Sequence, residues 1–242
     1  MSRAWPQASA GPSPSNPPNF DRLAPIYGWM EWLSFGPCLA RCRRAFLPRL
    51  TGRGRALIFG DGDGRFTAHL LRSSPGIEID AIDASPAMLR ALAARAGPNR
   101  SRVHTQAMDA RQWQPPESRR YDLVGTHFFL DCLTTAEVRS LAAAVRPNLH
   151  PGALWVVSEF SIPPGWFGSM IAAPLISVLY RAFGWLTGLA VRRLPDYQAA
   201  FRDAGFILLE AHPSLHGLLA SELWAPAPGP IESSCEGVTA PV

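Results

Sequence analysis

Arg55-Ala56-Leu57-Ile58-Phe59-Gly60-Asp61-Gly62-Asp63-Gly64-Arg65-Phe66 is the stretch whose reading decides the fold. Four apolar residues run into three glycines at alternate positions, and the amphipathic run Thr67-Ala68-His69-Leu70-Leu71 follows at once. This pattern predicts a buried strand that turns sharply into a helix. Glycine suits such a turn because it tolerates positive φ and, having no side chain, lets a ligand approach the backbone and the open amides of the helix.

Two other readings of the glycines fail on spacing. A dinucleotide fingerprint needs G-x-G-x-x-G, but Arg65 holds the place of the third glycine and Gly64 comes one residue early. A calcium loop starting at Asp61 would need a ligand at Arg65, a turn glycine at Phe66 and an acid at Arg72. A glycine-rich turn with no ligand is the remaining plain alternative.

Outward from this turn the chain repeats strand and helix. Gly76–Asp83 alternates apolar and polar residues and ends in Asp83-Ala84-Ser85-Pro86. A carboxylate at the end of a second parallel strand, about 20 residues beyond the glycines, is placed to bind ribose hydroxyls. Asp83 is alternatively a helix cap, a task for which Ser85 is better placed. A helix is expected from Pro86 to about Ala96. Val103–Met108 reads as a third strand leading to Asp109-Ala110, where a carboxylate can accept a hydrogen bond from an adenine amino group or sit in a solvated turn. Tyr121–His127 reads as the fourth strand, Thr134 or Thr135 caps the next helix, and Leu149–Phe160 holds a turn and a strongly buried fifth strand.

The order of these motifs resembles class I S-adenosylmethionine-dependent methyltransferases, and within them the ubiquinone and menaquinone biosynthesis C-methyltransferases. Gly60-Asp61-Gly62-Asp63-Gly64 resembles the glycine motif, Asp83 the ribose-binding acid, and Asp109-Ala110 the adenine-side pair. Tyr121-Asp122-Leu123-Val124 resembles the opening of the fourth strand, and Arg146–Gly152 resembles the R-x-L-x-P-G-G turn. Phe20-Asp21-Arg22-Leu23-Ala24-Pro25-Ile26-Tyr27 is similar to the N-terminal F-D-x-x-A-x-x-Y segment of the quinone enzymes.

The resemblance spans residues 19 to 225. It implies an α/β, Rossmann-like fold with a mostly parallel seven-stranded sheet, helices on both faces and an antiparallel C-terminal strand pair. It also implies S-adenosylmethionine as cofactor, with Ala84, Thr126 and Tyr27 joining the contacts already named. Ile58 stands where many members carry an acid, Asp61 where they carry a small residue or Cys, and Ala153 where they carry glycine. Asp61 is therefore expected to face the cofactor's ammonium group. His127, just past the fourth strand, is the first candidate for a base or substrate contact and Asp131 the second; a hydrogen-bonded structural histidine is the alternative for His127. The function implied is methyl transfer to a small, lipophilic or aromatic, quinol-like acceptor. A non-catalytic, cofactor-binding assembly protein of the same fold is the alternative, favoured by the absent acid at Ile58.

The remaining sequence is read by composition. Of 242 residues 47% are hydrophobic, enough for one α/β domain, and the formal charge is +4 without a single lysine. The arginines Arg41, Arg43, Arg44, Arg49, Arg53 and Arg55 cluster locally, either as a solvated helix face or as a site for an anionic surface. No nucleic-acid track is evident. Four cysteines supply no disulfide framework or metal spacing, and the N-terminus lacks a signal-peptide pattern, so a cytoplasmic location is expected. Residues 1–18 and 226–242 are expected to be disordered. Residues 19–50 are read as two helices separated by Pro37, forming a cap, and residues 51–225 as the cofactor domain. Within it, residues 163–194 hold the apolar run Trp166 to Val191, too interrupted by Pro174 and Arg181 to span a bilayer. That run reads as a lid over a lipophilic substrate, an interfacial segment giving weak peripheral membrane contact, or a core helix pair. A closing helix from Pro195 and strands at Phe206–Ala211 and Gly217–Trp224 complete the reading.

Overall fold

In the computed structural model residues 36–116, 119–178 and 194–228 are described. The N-terminal helix expected from Asn19, with Tyr27, lies outside them, as do residues 179–193 of the apolar segment and the tail beyond 228. The described elements are α1 (Gly36–Arg44), β1 (Arg55–Phe59), α2 (Arg65–Ser73), β2 (Glu78–Asp83), α3 (Pro86–Ala96), β3 (Val103–Ala107), β4 (Tyr121–His127), α4 (Thr135–Val145), β5 (Leu149–Phe160), α5 (Tyr197–Asp203), β6 (Phe206–Ser214) and β7 (Leu219–Pro226). Residues 166–178 are also helical, with a π-helical turn at Gly168–Ala172.

The strands form one sheet in the order β3-β2-β1-β4-β5-β7-β6. β1 through β5 are parallel, and β7 runs antiparallel to both β5 and β6. The order reverses at β1, so the carboxyl ends of β1, β2 and β4 open onto one crevice.

Both sheet faces are packed, as the near-continuous apolar strands require. On one face Trp155, Phe201, Phe206 and Trp224 pack edge to face or tilted, with ring centroids 4.7 to 5.5 Å apart, together with Leu57, Phe59, Val124 and Leu141. On the other, Phe46, Ile58, Phe66, Leu70, Leu89 and Leu123 are buried under α2 and α3. Such aromatic pairs each contribute about 0.5–1.5 kcal/mol beyond their area burial.

The helix starts follow local signals. Ser85 caps α3, accepting from the Met88 amide at 3.2 Å. Thr134 and Glu137 form a capping box at α4, and Asp196 caps α5. Pro37 stands inside the start of α1, where its missing N–H costs nothing in a first turn, and the helix expected before it lies outside the described residues. β6 reaches Ser214 and β7 runs from Leu219 to Pro226, both offset from the sequence expectation because β6 pairs along the whole of β7. That pairing draws Pro226 out of the expected tail, and the Ala227 amide bonds Gly205 at 2.8 Å.

Candidate active site

The glycine turn joins β1 to α2 with φ of 61° at Gly60, 57° at Gly62 and 81° at Gly64. Packing adds to the demand for glycine. A Cβ on Gly60 would lie 2.2 Å from the Phe129 ring, and one on Gly64 would lie 2.7 Å from the Leu92 backbone of α3. At these two positions the space left by the missing side chain is filled by the protein itself. The Gly60 amide donates to the Ile82 carbonyl at 2.9 Å, fixing the turn beside the end of β2.

Asp61 does not present its carboxylate to the crevice as expected. Its oxygens accept from the amides of Phe66 at 3.2 Å and Thr67 at 2.8 Å, in the first turn of α2. Free helix amides attract the nearest anion, and here the chain supplies one, so these amides are also closed to a ligand. Burial pushes the Asp61 carboxyl up to about 6, although the two amides and the Arg43 guanidinium favour its charged form.

Asp83 lies at the end of β2, half-buried, with one oxygen accepting from the Ser85 amide at 2.8 Å; Ala84 beside it is exposed. With Ser85 capping α3, Asp83 is placed at the crevice. Asp109 is engaged elsewhere: it caps a short turn at Ala110 and grips Arg111, whose guanidinium lies 2.5 Å away and also reaches Glu137. Ala110 is buried. The Thr126 hydroxyl is likewise occupied, accepting from the Trp155 indole at 3.1 Å, because Thr126 faces the core side of β4. Ile58 is buried beneath Gly125, where a Cβ would collide with it at 2.8 Å.

The two catalytic candidates separate. His127 points to the α2 face, its ring 4.0 Å from that of Phe66, and its Nδ1 is 2.9 Å from the Ser158 hydroxyl. Ser158 donates its one proton to the Cys42 carbonyl at 3.3 Å, so it must accept from His127 Nδ1–H, leaving the lone pair on Nε2. That Nε2 is buried and has no partner among the described residues. Burial and the nearby Arg43 charge hold the ring neutral, well below the ordinary histidine range.

Asp131 instead joins a group of acids. The half-buried Cys132 thiol donates to Asp131 Oδ1 at 3.5 Å and is pushed far up by burial and then by the charges of Asp131, Glu159 and Asp83. Glu159, near the end of β5, accepts from the amides of Phe129 at 2.9 Å and Leu130 at 2.7 Å through Oε1. Its Oε2 is buried with no partner among the described residues. Burial and the Asp131 charge push its carboxyl well above the usual range. The sequence reading passed over Glu159; an acid in the apolar run Trp155–Phe160 was the available signal.

Glu159 is 1% exposed, whereas Asp83 and Asp131 are half-buried near the carboxyl ends of β2 and β4. The Asp83 carboxylate at the end of β2, beside the glycine turn, fits a nucleoside whose ribose hydroxyls are donors. Among the described residues no cluster of side chains could hold a metal ion.

Residues 57–155 match the family model described as a methyltransferase domain. No curated protein matches the chain. Similar solved structures include an O-methyltransferase family protein from Burkholderia thailandensis (TM-score 0.65, 16% identity, covering 87% of this chain and 61% of that one). They also include the mitomycin 7-O-methyltransferase MmcR (TM-score 0.62, 15% identity, 86% and 60%) and the CcbJ methyltransferase from Streptomyces caelestis (TM-score 0.61, 20% identity, 86% and 97%). The chain thus spans about three fifths of the length of the first two and nearly all of the third. The match to a methyltransferase-domain model over residues 57–155 and the strand order together show that the chain has the class I methyltransferase fold.

Proposed function

We propose that this protein is an S-adenosylmethionine-dependent methyltransferase acting on a small, lipophilic, quinol-like acceptor. The observation that carries this reading is the seven-stranded sheet whose glycine turn after β1 is held to the end of β2 by the Gly60 amide at 2.9 Å from the Ile82 carbonyl, one residue before Asp83. When bound, the cofactor supplies an electrophilic methyl group on a cationic sulfur. Asp83 binds the ribose hydroxyls, and the Gly60–Gly64 turn carries the adjacent backbone.

Asp131 and Glu159 take the acceptor's proton. Burial and the Asp131 charge hold the Glu159 carboxyl well above its usual range, so the pair keeps a proton that an ordinary carboxylate would have lost and can exchange it with an acceptor hydroxyl. Phe129 and Leu130 hold Glu159 in place through their amides. His127, locked through Ser158 on the other face, acts as a positioning residue beneath the turn.

The apolar segment supports a lipophilic acceptor. Ala172 and Ile176 pack on Leu39, Phe160 and Leu218, while Trp166 and Met170 are each 72% exposed and Val178 is 62% exposed. No described helix is long and apolar enough to cross a membrane. MmcR is named for methylating mitomycin, a small molecule, which supports the substrate class without fixing the acceptor.

Calorimetric titration with S-adenosylmethionine, S-adenosylhomocysteine and NADH tests the cofactor. The first two should bind far more tightly than NADH, and Asp83→Ala should weaken them by about 1.5–3 kcal/mol. Turnover is then assayed on quinol-like phenols, bulk RNA and protein. Turnover confined to RNA or protein would overturn the small-molecule reading, and tight cofactor binding without any turnover would favour the non-catalytic role.

A further inference from the structure

A separate pocket of about 280 Å³ lies between α1, α2 and the end of α3, lined by Ala40, Arg43, Arg44, Arg65, Phe66, Ala68, His69, Arg72 and Arg95. Five arginines share one small concavity. Asp63 holds two of them, Arg65 at 3.1 Å and Arg95 at 2.7 Å. Arg44 is steadied by the Ala40 carbonyl at 3.0 Å, and neither it nor Arg72 has a carboxylate partner among the described residues.

The histidine in the pocket is oriented by its neighbour. A guanidinium has donors and no acceptor, so Arg72, 2.9 Å from His69 Nδ1, must donate to it. The remaining proton of His69 is therefore on Nε2. Burial, followed by the charges of Arg72 and Arg44, lowers the pKa of this ring, as expected where positive potential is unanswered. The polar side chains of the pocket are thus donors, and its field is positive. Protein of this kind is stabilised by an anion with several acceptor oxygens, and a phosphate matches the fork of an arginine better than a single carboxylate oxygen does.

We propose that this pocket binds a phosphate-bearing anion, with Arg44, Arg72 and His69 Nε2–H as its principal donors. The site is distinct from the carboxyl ends of the strands beside the glycine turn and does not depend on the methyl-transfer reading. A free phosphorylated compound and an anionic lipid headgroup present the same chemistry.

The test is calorimetric titration of the full chain with inorganic phosphate and pyrophosphate, together with co-sedimentation on phosphatidylcholine vesicles with and without phosphatidylglycerol. Wild type should bind pyrophosphate, and the double variant Arg44→Gln/Arg72→Gln should lose about tenfold or more in affinity. Both residues are on the surface, and thermal unfolding confirms that the variant is folded. The variant Arg120→Gln/Arg139→Gln, of equal net charge and outside the pocket, should bind as wild type does. Pyrophosphate should also raise the pKa of His69, read by NMR. Vesicle binding that pyrophosphate displaces identifies a lipid headgroup, and pyrophosphate binding without vesicle binding identifies a free phosphorylated compound. No pyrophosphate binding, an equal loss in the Arg120/Arg139 variant, or an unmoved His69 would overturn the proposal.

Discussion

His127 Nδ1 lies 2.9 Å from the Ser158 hydroxyl, joining the last residue of β4 to its register partner on β5. Ser158 passes the link to the Cys42 carbonyl of α1, and Ser221 of β7 reaches the same carbonyl at 2.9 Å. Three strands and the arginine-bearing helix are thereby joined by one buried polar chain. Its neutral histidine is oriented by this chain rather than exposed to the crevice.

Ser158→Ala should destabilise the protein by about 1–3 kcal/mol in urea unfolding, since it leaves His127 Nδ1–H buried without a partner. His127→Gln should lower stability and kcat modestly while leaving the pH limbs of kcat in place. Loss of a limb in His127→Gln would instead make the histidine the proton acceptor.

Glu159→Gln should displace the acidic limb of the pH–rate profile. With the raised Glu159 titration removed, Asp131 ionises beside a neutral amide at every pH, so the limb should move to lower pH. An unmoved limb in both Glu159→Gln and Asp131→Asn would remove the carboxyl pair from the chemistry.

Asp61 carries a pH signature of its own. Its folded pKa of about 6 lies above the ordinary 3.8, so the folded state holds this proton more tightly than the unfolded chain does. The contribution to stability is fully present below pH 3.8 and is lost as the pH rises to 6, by at most about 3 kcal/mol. Asp61→Asn keeps an acceptor for α2 and removes the titration. Its thermal midpoint should exceed that of wild type at pH 8, and the gap should close toward pH 4. A constant gap across that range would contradict the burial of this carboxyl.

Asp80 should be a stability residue with no effect on cofactor affinity. Its carboxylate is 2% exposed, accepts from Arg119 at 2.6 Å and the Tyr121 hydroxyl at 3.0 Å, and lies 3.5 Å from Arg55. Asp80→Ala removes the shared partner and should cost about 2–3 kcal/mol, less than a fully buried pair because the arginines are partly solvated. Calorimetric affinity for S-adenosylhomocysteine should be unchanged at a temperature where the variant is folded.

The sequence by itself determined the alternation of strand and helix, because apolar runs, glycine turns and caps act over a few residues. β1, β4 and β5 begin and end where Arg55–Phe59, Tyr121–His127 and Leu149–Phe160 change character. Ser85 was legible as the cap of α3, which left Asp83 for the crevice. Only the tertiary structure decided how the other polar groups are used. Asp61, Asp109 and Thr126 carry plausible ligand-binding atoms in sequence, yet α2 amides, Arg111 and the Trp155 indole occupy them. Glu159 is 28 residues beyond Asp131 in sequence, and the parallel pairing of β4 with β5 brings it to the Phe129 and Leu130 amides just before Asp131. The arginines of the phosphate pocket likewise come from α1, α2 and α3, whose packing turns a dispersed excess of positive charge into one concave site.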